Sequence, residues 1–171
     1  MFRDSRSSLP KWFISPKLEL RESSIHGVGI FTNARIESHE LIESAPLILF
    51  HVDTMDALNN MTGTRHILMD YPFSWRDGLC AIAHGFGGLY NHSTLNPNAT
   101  FRNNYNLPSI EFYSRCVIEP GDEVLIRYMN FNQCSKLWFV DPDGPDQDMS
   151  PGGQPPAGFD MTNLNNWYKK S

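Results

Sequence analysis

The stretch GLYNHS, residues 88–93, is the part of this chain from which we work outward. A Pro-Asn dipeptide follows it at 97–98, and the segment GDEVLIRY follows at 121–128. A glycine turn, GVG, lies upstream at 27–29. Each motif is short enough to arise by chance, so their order along one chain carries the information. A dinucleotide-binding loop is not predicted, because the third glycine and the helix that should follow are absent.

In this order the motifs resemble those of the SET-domain protein-lysine methyltransferases, over roughly residues 17–130. The resemblance implies a mostly β SET-domain fold of several small β-sheets, with a knot-like C-terminal segment and one or two short helices. It implies S-adenosylmethionine as cofactor and a lysine-containing protein or peptide as substrate. The reaction would be transfer of the methyl group to the lysine side chain.

The resemblance also assigns roles to individual residues. The glycine turn would bring main-chain atoms close to the cofactor, and the Asn-His pair would bind it, with the histidine on the adenine side. The expected cofactor-binding residues are Gly27, Val28, Gly29, Asn91 and His92. Tyr128 falls on the family's catalytic tyrosine. As alternatives, the Asn-His pair could simply cap a polar turn, and a tyrosine ending a strand could be part of the core.

A lysine channel is implied as well. Its candidate lining residues are Tyr71, Tyr90, Tyr105, Tyr113 and Ile126. The sequence shows no cysteine-rich stretch before the domain and no triple-cysteine zinc module after it. Aromatic residues of the same chain or of a dimer mate would therefore close the channel, unless they only pack a C-terminal segment. The candidates are Trp138, Phe139, Trp167 and Tyr168. A homodimer is therefore left open as a partner.

Two departures from the family pattern leave questions open. The loop between Ser93 and Pro97 is one residue longer than is common, so the role of Asn98 is undecided. Ile126 stands where many members carry Phe or Tyr, so the number of methyl groups added does not follow.

Composition restricts the class of protein. The chain has 171 residues with 40% hydrophobic content, which suits one domain with a core. No apolar run approaches the ~20 residues that a membrane helix needs, and the absence of a signal-peptide pattern favours a soluble, intracellular protein. The net charge is −5, and the body is not basic, so direct nucleic-acid binding is not expected. Three cysteines without CxxC spacing predict neither disulfides nor a metal cluster.

The chain divides into an arm at 1–16, a SET domain at 17–140 with a variable insert at 53–80, and a Pro/Gly/Asp-rich tail at 141–171. Alternation and β-prone runs predict strands at 17–21, 30–32, 40–44, 47–50, 79–83, 99–103, 110–116 and 124–127. Pro46 should separate the strand at 40–44 from the strand at 47–50. A helix is predicted at 53–61, capped by Asp53 or Thr54, with Met61 on its apolar face.

Two other functions remain open. His51 and Asp53 match the H-x-D half of an iron site, His92 could supply its distal ligand, and Arg102 could bind a carboxylate, as in an iron/2-oxoglutarate dioxygenase. That hypothesis leaves residues 121–128 unexplained. A non-catalytic SET-like module that binds a peptide is the second alternative, and Tyr128 argues against it.

Overall fold

The computed structural model describes residues 12–63 and 67–128. Strands dominate this part of the chain, with one α-helix, α1, at Asp53–Thr62 and a 3-10 turn at Ile67–Asp70. The strands are β1 Phe13–Ile14, β2 Leu18–Glu22, β3 Val28–Thr32, β4 Leu41–His51, β5 Phe73–Ser74, β6 Leu79–Ala83, β7 Asn91–His92, β8 Ala99–Asn104, β9 Ser109–Ser114 and β10 Leu125–Ile126. The predicted mostly β fold of small sheets is confirmed.

The strands form one large sheet and two small ones. Six strands make the large sheet, in the order β5-β6-β4-β9-β8, with β1 paired to β4. The small sheets are an antiparallel pair of β2 with β3 and a parallel pair of β7 with β10. None of the helical segments in the described residues has the length and apolar character needed to cross a bilayer.

β4 runs without interruption through Pro46, so the predicted break between two strands is wrong. β4 pairs with β9 as far as Pro46, and with β6 from Leu47 onward. A proline has no amide hydrogen to give to a ladder. It is tolerated here because it stands where the strand changes partners, and its carbonyl still accepts a hydrogen bond from the amide of His84 at 2.9 Å.

The helix α1 lies where it was predicted, but its N-terminus differs. Val52 is the N-cap and no side chain caps the helix, so the predicted caps Asp53 and Thr54 are wrong. The carboxylate of Asp53 instead lies 3.1 Å from the Nδ1 atom of His51. Met61 is 83% exposed, so it does not extend the apolar face of the helix.

The C-terminal end of the described chain packs against its N-terminal hairpin. Gly121 and Val124 donate main-chain hydrogen bonds to Thr32 and Ile30 at 2.6 and 2.7 Å, and β10 then lies beside β7. Branched side chains from these segments and from the large sheet share the core, and the fully buried ones include Ile30, Ile36, Ile42, Ile110, Ile118, Val124 and Ile126. The motifs that are far apart in sequence therefore meet at one place.

Candidate functional site

The parallel ladder of β7 and β10 is the framework of the site. Asn91 lies opposite Leu125 and His92 opposite Ile126. The amide of Ser93 extends the ladder by donating to the carbonyl of Ile126 at 3.1 Å. Each strand has only two residues, so the pairing depends on the surrounding core rather than on its own length. The ladder places Tyr128, just beyond β10, next to His92.

His92 holds Tyr128 through both its ring and its nitrogen atoms. The Nδ1 atom accepts a hydrogen bond from the amide of Tyr128 at 3.0 Å, and Nε2 lies 2.9 Å from the hydroxyl oxygen of Thr94. In a neutral imidazole one nitrogen accepts and the other donates, so Nε2 carries the proton. The two rings also pack with their centroids 5.0 Å apart. These contacts make His92 a support for Tyr128.

The hydroxyl group of Tyr128 is fixed and neutral. It donates to the main-chain carbonyl of Tyr90 at 2.7 Å. Burial raises the pKa of Tyr128 above its ordinary value, and Tyr71, Glu123 and Asp70 raise it further. The side chain therefore stays a phenol at neutral pH and acts as a positioned donor and acceptor, because a phenolate base is not accessible.

The side chain of Asn91 ties the glycine turn to the GDEV segment. Its Nδ2 atom lies 3.2 Å from the carbonyl of His26, 3.1 Å from that of Val28 and 2.7 Å from Oε1 of Glu123. The other carboxylate oxygen of Glu123 accepts from the hydroxyl of Ser23 at 2.9 Å. Since Asn91 is buried, these contacts hold the turn and Glu123 in a single arrangement.

The two glycines of the turn face different surroundings. A Cβ atom on Gly29 would overlap the carboxylate of Glu123 and lie 2.9 Å from Nδ2 of Asn91. A Cβ atom on Gly27, whose φ is 50°, would meet nothing within 4 Å. The turn is therefore packed against the protein on one side and open on the other, so a ligand on the open side can reach main-chain atoms.

Asn98 clamps the main chain just before Tyr128. Its Nδ2 atom donates to the carbonyl of Glu123 at 2.8 Å, and its Oδ1 atom accepts from the amide of Leu125 at 2.8 Å. The longer loop before Pro97 thus leaves the side chain of Asn98 able to reach the 121–128 segment. Its role, left open by the sequence, is to hold that segment in register.

Replacing Asn98 with alanine should lower the free energy of unfolding by about 2 kcal/mol, because two main-chain groups lose their partners. Urea unfolding followed by circular dichroism measures the change. Asn96→Ala is the control: it lies in the same loop, and its exposed side chain makes no hydrogen bond to any described residue. Equal effects of both substitutions would contradict the clamp.

The predicted channel residues separate into two groups. Tyr90 and Ile126 are buried next to Tyr128, Tyr90 through its carbonyl and Ile126 on β10. Tyr71 is 40% exposed, and its proximity contributes to the raised pKa of Tyr128. Its ring would lie 3.4 Å from a Cβ atom placed on Gly88. The structure brings these three predicted residues to Tyr128.

Tyr105 and Tyr113 are not brought to it. The hydroxyl of Tyr113 donates to Glu111 at 2.7 Å and its ring lies under Arg102. Tyr113 shares a face of β9 with Glu111 because side chains alternate along a strand, and this face is opposite to that of buried Phe112. Tyr105 packs against the ring of Trp75, with centroids 4.7 Å apart. Both belong to the β8–β9 end of the large sheet.

Two acidic residues of the site were not singled out from the sequence. Glu123 lies inside a quoted motif, so its position beside Asn91 could have been suspected. Glu43 is fully buried and accepts the Tyr90 hydroxyl at 2.7 Å. No site role was predicted for it from the sequence. The proposed channel-closing aromatics at 138, 139, 167 and 168 lie outside the described residues.

The residues of the iron hypothesis are not assembled into a site. His51 is exposed at the end of β4 and pairs with Asp53, whereas His92 is buried against Thr94 and Tyr128. Among the described residues, no group of three or more His, Cys, Asp or Glu side chains could hold a metal ion. The geometry therefore does not combine His51, Asp53 and His92.

Comparison with known proteins agrees with the geometry. The SET domain family model matches residues 27–129. The Schizosaccharomyces pombe histone-lysine N-methyltransferase specific for H3 lysine-37 is 29% identical over 132 residues, covering 75% of this chain and 80% of the relative. A candidate histone methyltransferase of Plasmodium falciparum, solved by crystallography, is 25% identical, with a TM-score of 0.55 over 70% of this chain and 100% of that one.

A more distant match supports the fold alone. The Polycomb Repressive Complex 2 of Chaetomium thermophilum, in an autoinhibited conformation bound to S-adenosylmethionine, has a TM-score of 0.55 at 21% identity. The match covers 65% of this chain and 15% of that much longer one.

Proposed function

We infer that this chain, which belongs to the SET-domain family, is a protein-lysine methyltransferase that uses S-adenosylmethionine. The observation that carries the proposal is the β7–β10 ladder, because it joins the glycine turn, the Asn-His pair and Tyr128 in one cluster. The relative specific for H3 lysine-37 makes histone H3 the first protein to test as substrate.

We propose that Gly27, Val28, Gly29, Asn91 and His92 form the cofactor side of the site. The open side of the turn at Gly27 gives a ligand access to main-chain atoms, and Asn91 fixes that turn from behind. When bound, S-adenosylmethionine supplies an electrophilic methyl group on a positively charged sulfur. The carboxylates of Glu123 and Asp70, which both act on Tyr128, favour a cationic ligand in this region.

The proposed role of Tyr128 is to orient the lysine amine. A lysine must be neutral to attack, and deprotonating a free lysine at pH 7 costs about 4 to 5 kcal/mol. Burial of the amine next to Tyr128 lowers that cost. Because Tyr128 donates its hydroxyl proton to the Tyr90 carbonyl, its phenolic oxygen acts toward the substrate as an acceptor for an N–H of the amine, and this contact aims the lone pair of the amine.

Replacing Asn91 with alanine should weaken the binding of S-adenosylmethionine by at least about tenfold, because the glycine turn loses the side chain that fixes it. Isothermal titration of the cofactor into the wild type and the variant measures the effect. Asn33→Ala is the control, because Asn33 is exposed and, within the described part of the chain, its side chain hydrogen-bonds only to the carbonyl of Pro16.

Saturable binding that Asn91→Ala loses, together with labelled methyl transfer to histone H3 or to an array of lysine peptides, would support the function. Wild-type protein that binds no S-adenosylmethionine and labels no protein would overturn it. Binding without transfer to any lysine would instead favour the non-catalytic peptide-binding module.

A further inference from the structure

Glu43 is a fully buried carboxylate that the reaction described above does not use. Its Oε2 atom accepts from the hydroxyl of Tyr90 at 2.7 Å, and its Oε1 atom accepts from the amide of Phe86 at 2.8 Å. The amide of Gly87 also donates to it. All of these donors are uncharged, so the carboxylate is held without a cation among the described residues.

The turn before β7 is shaped around this carboxylate. Gly85 has a φ of 75°, and a Cβ atom there would overlap Oε1 of Glu43 and lie 3.1 Å from Ile14 of β1. β9 places Phe112 directly opposite Glu43. The groups that face Glu43 from β1 and β9, Ile14 and Phe112, are therefore apolar. Those from the turn are main-chain amides. His84, next to the turn, is exposed.

Tyr90 is the titratable group that faces Glu43 among the described residues, and it connects Glu43 to the active site. Its hydroxyl group binds Glu43, whereas its main-chain carbonyl accepts the hydroxyl of Tyr128 at 2.7 Å. Its ring packs on Phe112 with centroids 4.7 Å apart. A shift of the Tyr90 side chain would therefore move the carbonyl that orients Tyr128.

We propose that Glu43 is a positioning residue for methyl transfer, which in its ionised form holds Tyr90 and thereby fixes the carbonyl that orients Tyr128. This inference rests on the proposed function. The ionised form is the active one because the carboxylate faces three donors, and a protonated carboxyl group would lose an acceptor site.

The ionisation of Glu43 falls in the neutral range. Burial raises the pKa of Glu43 from 4.5 to about 7, while the hydrogen bonds from Tyr90, Phe86 and Gly87 limit the increase. The holding interaction is therefore complete above neutral pH and is lost as the pH falls below it.

The test is the pH dependence of kcat for the wild type and for Glu43→Gln, with labelled S-adenosylmethionine and recombinant histone H3, or the best peptide of the lysine array, as probe. Glutamine has the shape of the protonated carboxyl group and does not titrate. The ratio of the two rates should be close to one below about pH 6 and about tenfold in favour of the wild type above about pH 8. Ionisation of the substrate lysine affects both enzymes equally and cancels in the ratio.

A second variant and a second measurement support the test. Tyr90→Phe keeps the ring but removes the hydroxyl group. The ratio of the wild-type kcat to the kcat of this variant should therefore also rise as the pH passes through neutrality. In urea, the unfolding equilibrium constant of the wild type relative to Glu43→Gln should rise about 80-fold between pH 4.5 and pH 7. The folded protein holds a proton in that interval that the unfolded chain releases.

An active wild type whose rate ratio to Glu43→Gln does not change with pH would overturn the inference. The inference would also be overturned if the unfolding equilibrium constant of the wild type relative to Glu43→Gln did not change between pH 4.5 and pH 7. Failure of the proposed function looks different, because the wild type would then transfer no methyl group to any probe at any pH.

Discussion

Tyr128→Phe should lower the kcat for lysine methylation by about 100-fold and leave the dissociation constant for S-adenosylmethionine within about twofold of the wild type. The hydroxyl group is the part of Tyr128 that binds the Tyr90 carbonyl and, in our proposal, the substrate amine. The phenyl ring of the variant still packs on His92, and its amide still donates to Nδ1 of that residue. The loss should therefore fall on the chemical step.

Single-turnover transfer from labelled S-adenosylmethionine measures the rate, and isothermal titration measures the binding. A variant that retains wild-type turnover would show that the hydroxyl group does not orient the amine. A variant that loses cofactor binding together with turnover would show that Tyr128 acts by supporting the cofactor pocket, which is a different role.

Gly29→Ala should abolish detectable cofactor binding and lower the free energy of unfolding by about 3 kcal/mol. The new methyl group would occupy the place of the Glu123 carboxylate, so Glu123 must move away from Asn91 and Ser23. The side chain that fixes the glycine turn would then lose its strongest contact. Titration calorimetry and urea unfolding measure the two effects.

Two other glycines make the comparison informative. Gly27→Ala adds a methyl group on the open side of the turn, so it should weaken cofactor binding with a smaller loss of stability. Gly63→Ala changes the residue after α1, where a Cβ atom meets nothing within 4 Å. It should leave binding and methyl transfer unchanged, at a cost in stability of about 1 kcal/mol. If Gly29→Ala behaves like Gly63→Ala, the close packing at the turn is contradicted.

Local signals in the sequence were sufficient for most of the strands. Alternation predicted β2, and a short apolar run predicted β6 at its observed ends. The resemblance, rather than any local pattern, led to Tyr128, because a two-residue strand such as β10 has no periodicity of its own. The error at Pro46 also reflects information that is not local. Whether a strand can change partners at a proline depends on the residues of β6 and β9, which lie elsewhere in the sequence.

The sequence could not have shown which tyrosines share a site. Tyr90 and Tyr113 look alike in sequence, yet the carbonyl of Tyr90 accepts the hydroxyl of Tyr128 and the ring of Tyr113 faces Arg102. The distinction depends on the register of β8 and β9 and on the path of the glycine-rich turn. Glu43 was missed because its hydrogen-bond partners are distant in sequence. Tyr90 is 47 residues away and Phe86 is 43 residues away.

The hydrogen bond between Ser23 and Glu123 joins residues separated by 100 positions. A chain emerging from the ribosome can form β2, β3 and most of the large sheet before residue 121 is made, but it cannot complete the glycine turn. Contacts of such long range slow folding, because much of the chain must be ordered before they form. We therefore expect the pocket to assemble in the last folding step. S-adenosylmethionine should act on this step as a ligand that selects fully folded molecules and protects them from proteolysis.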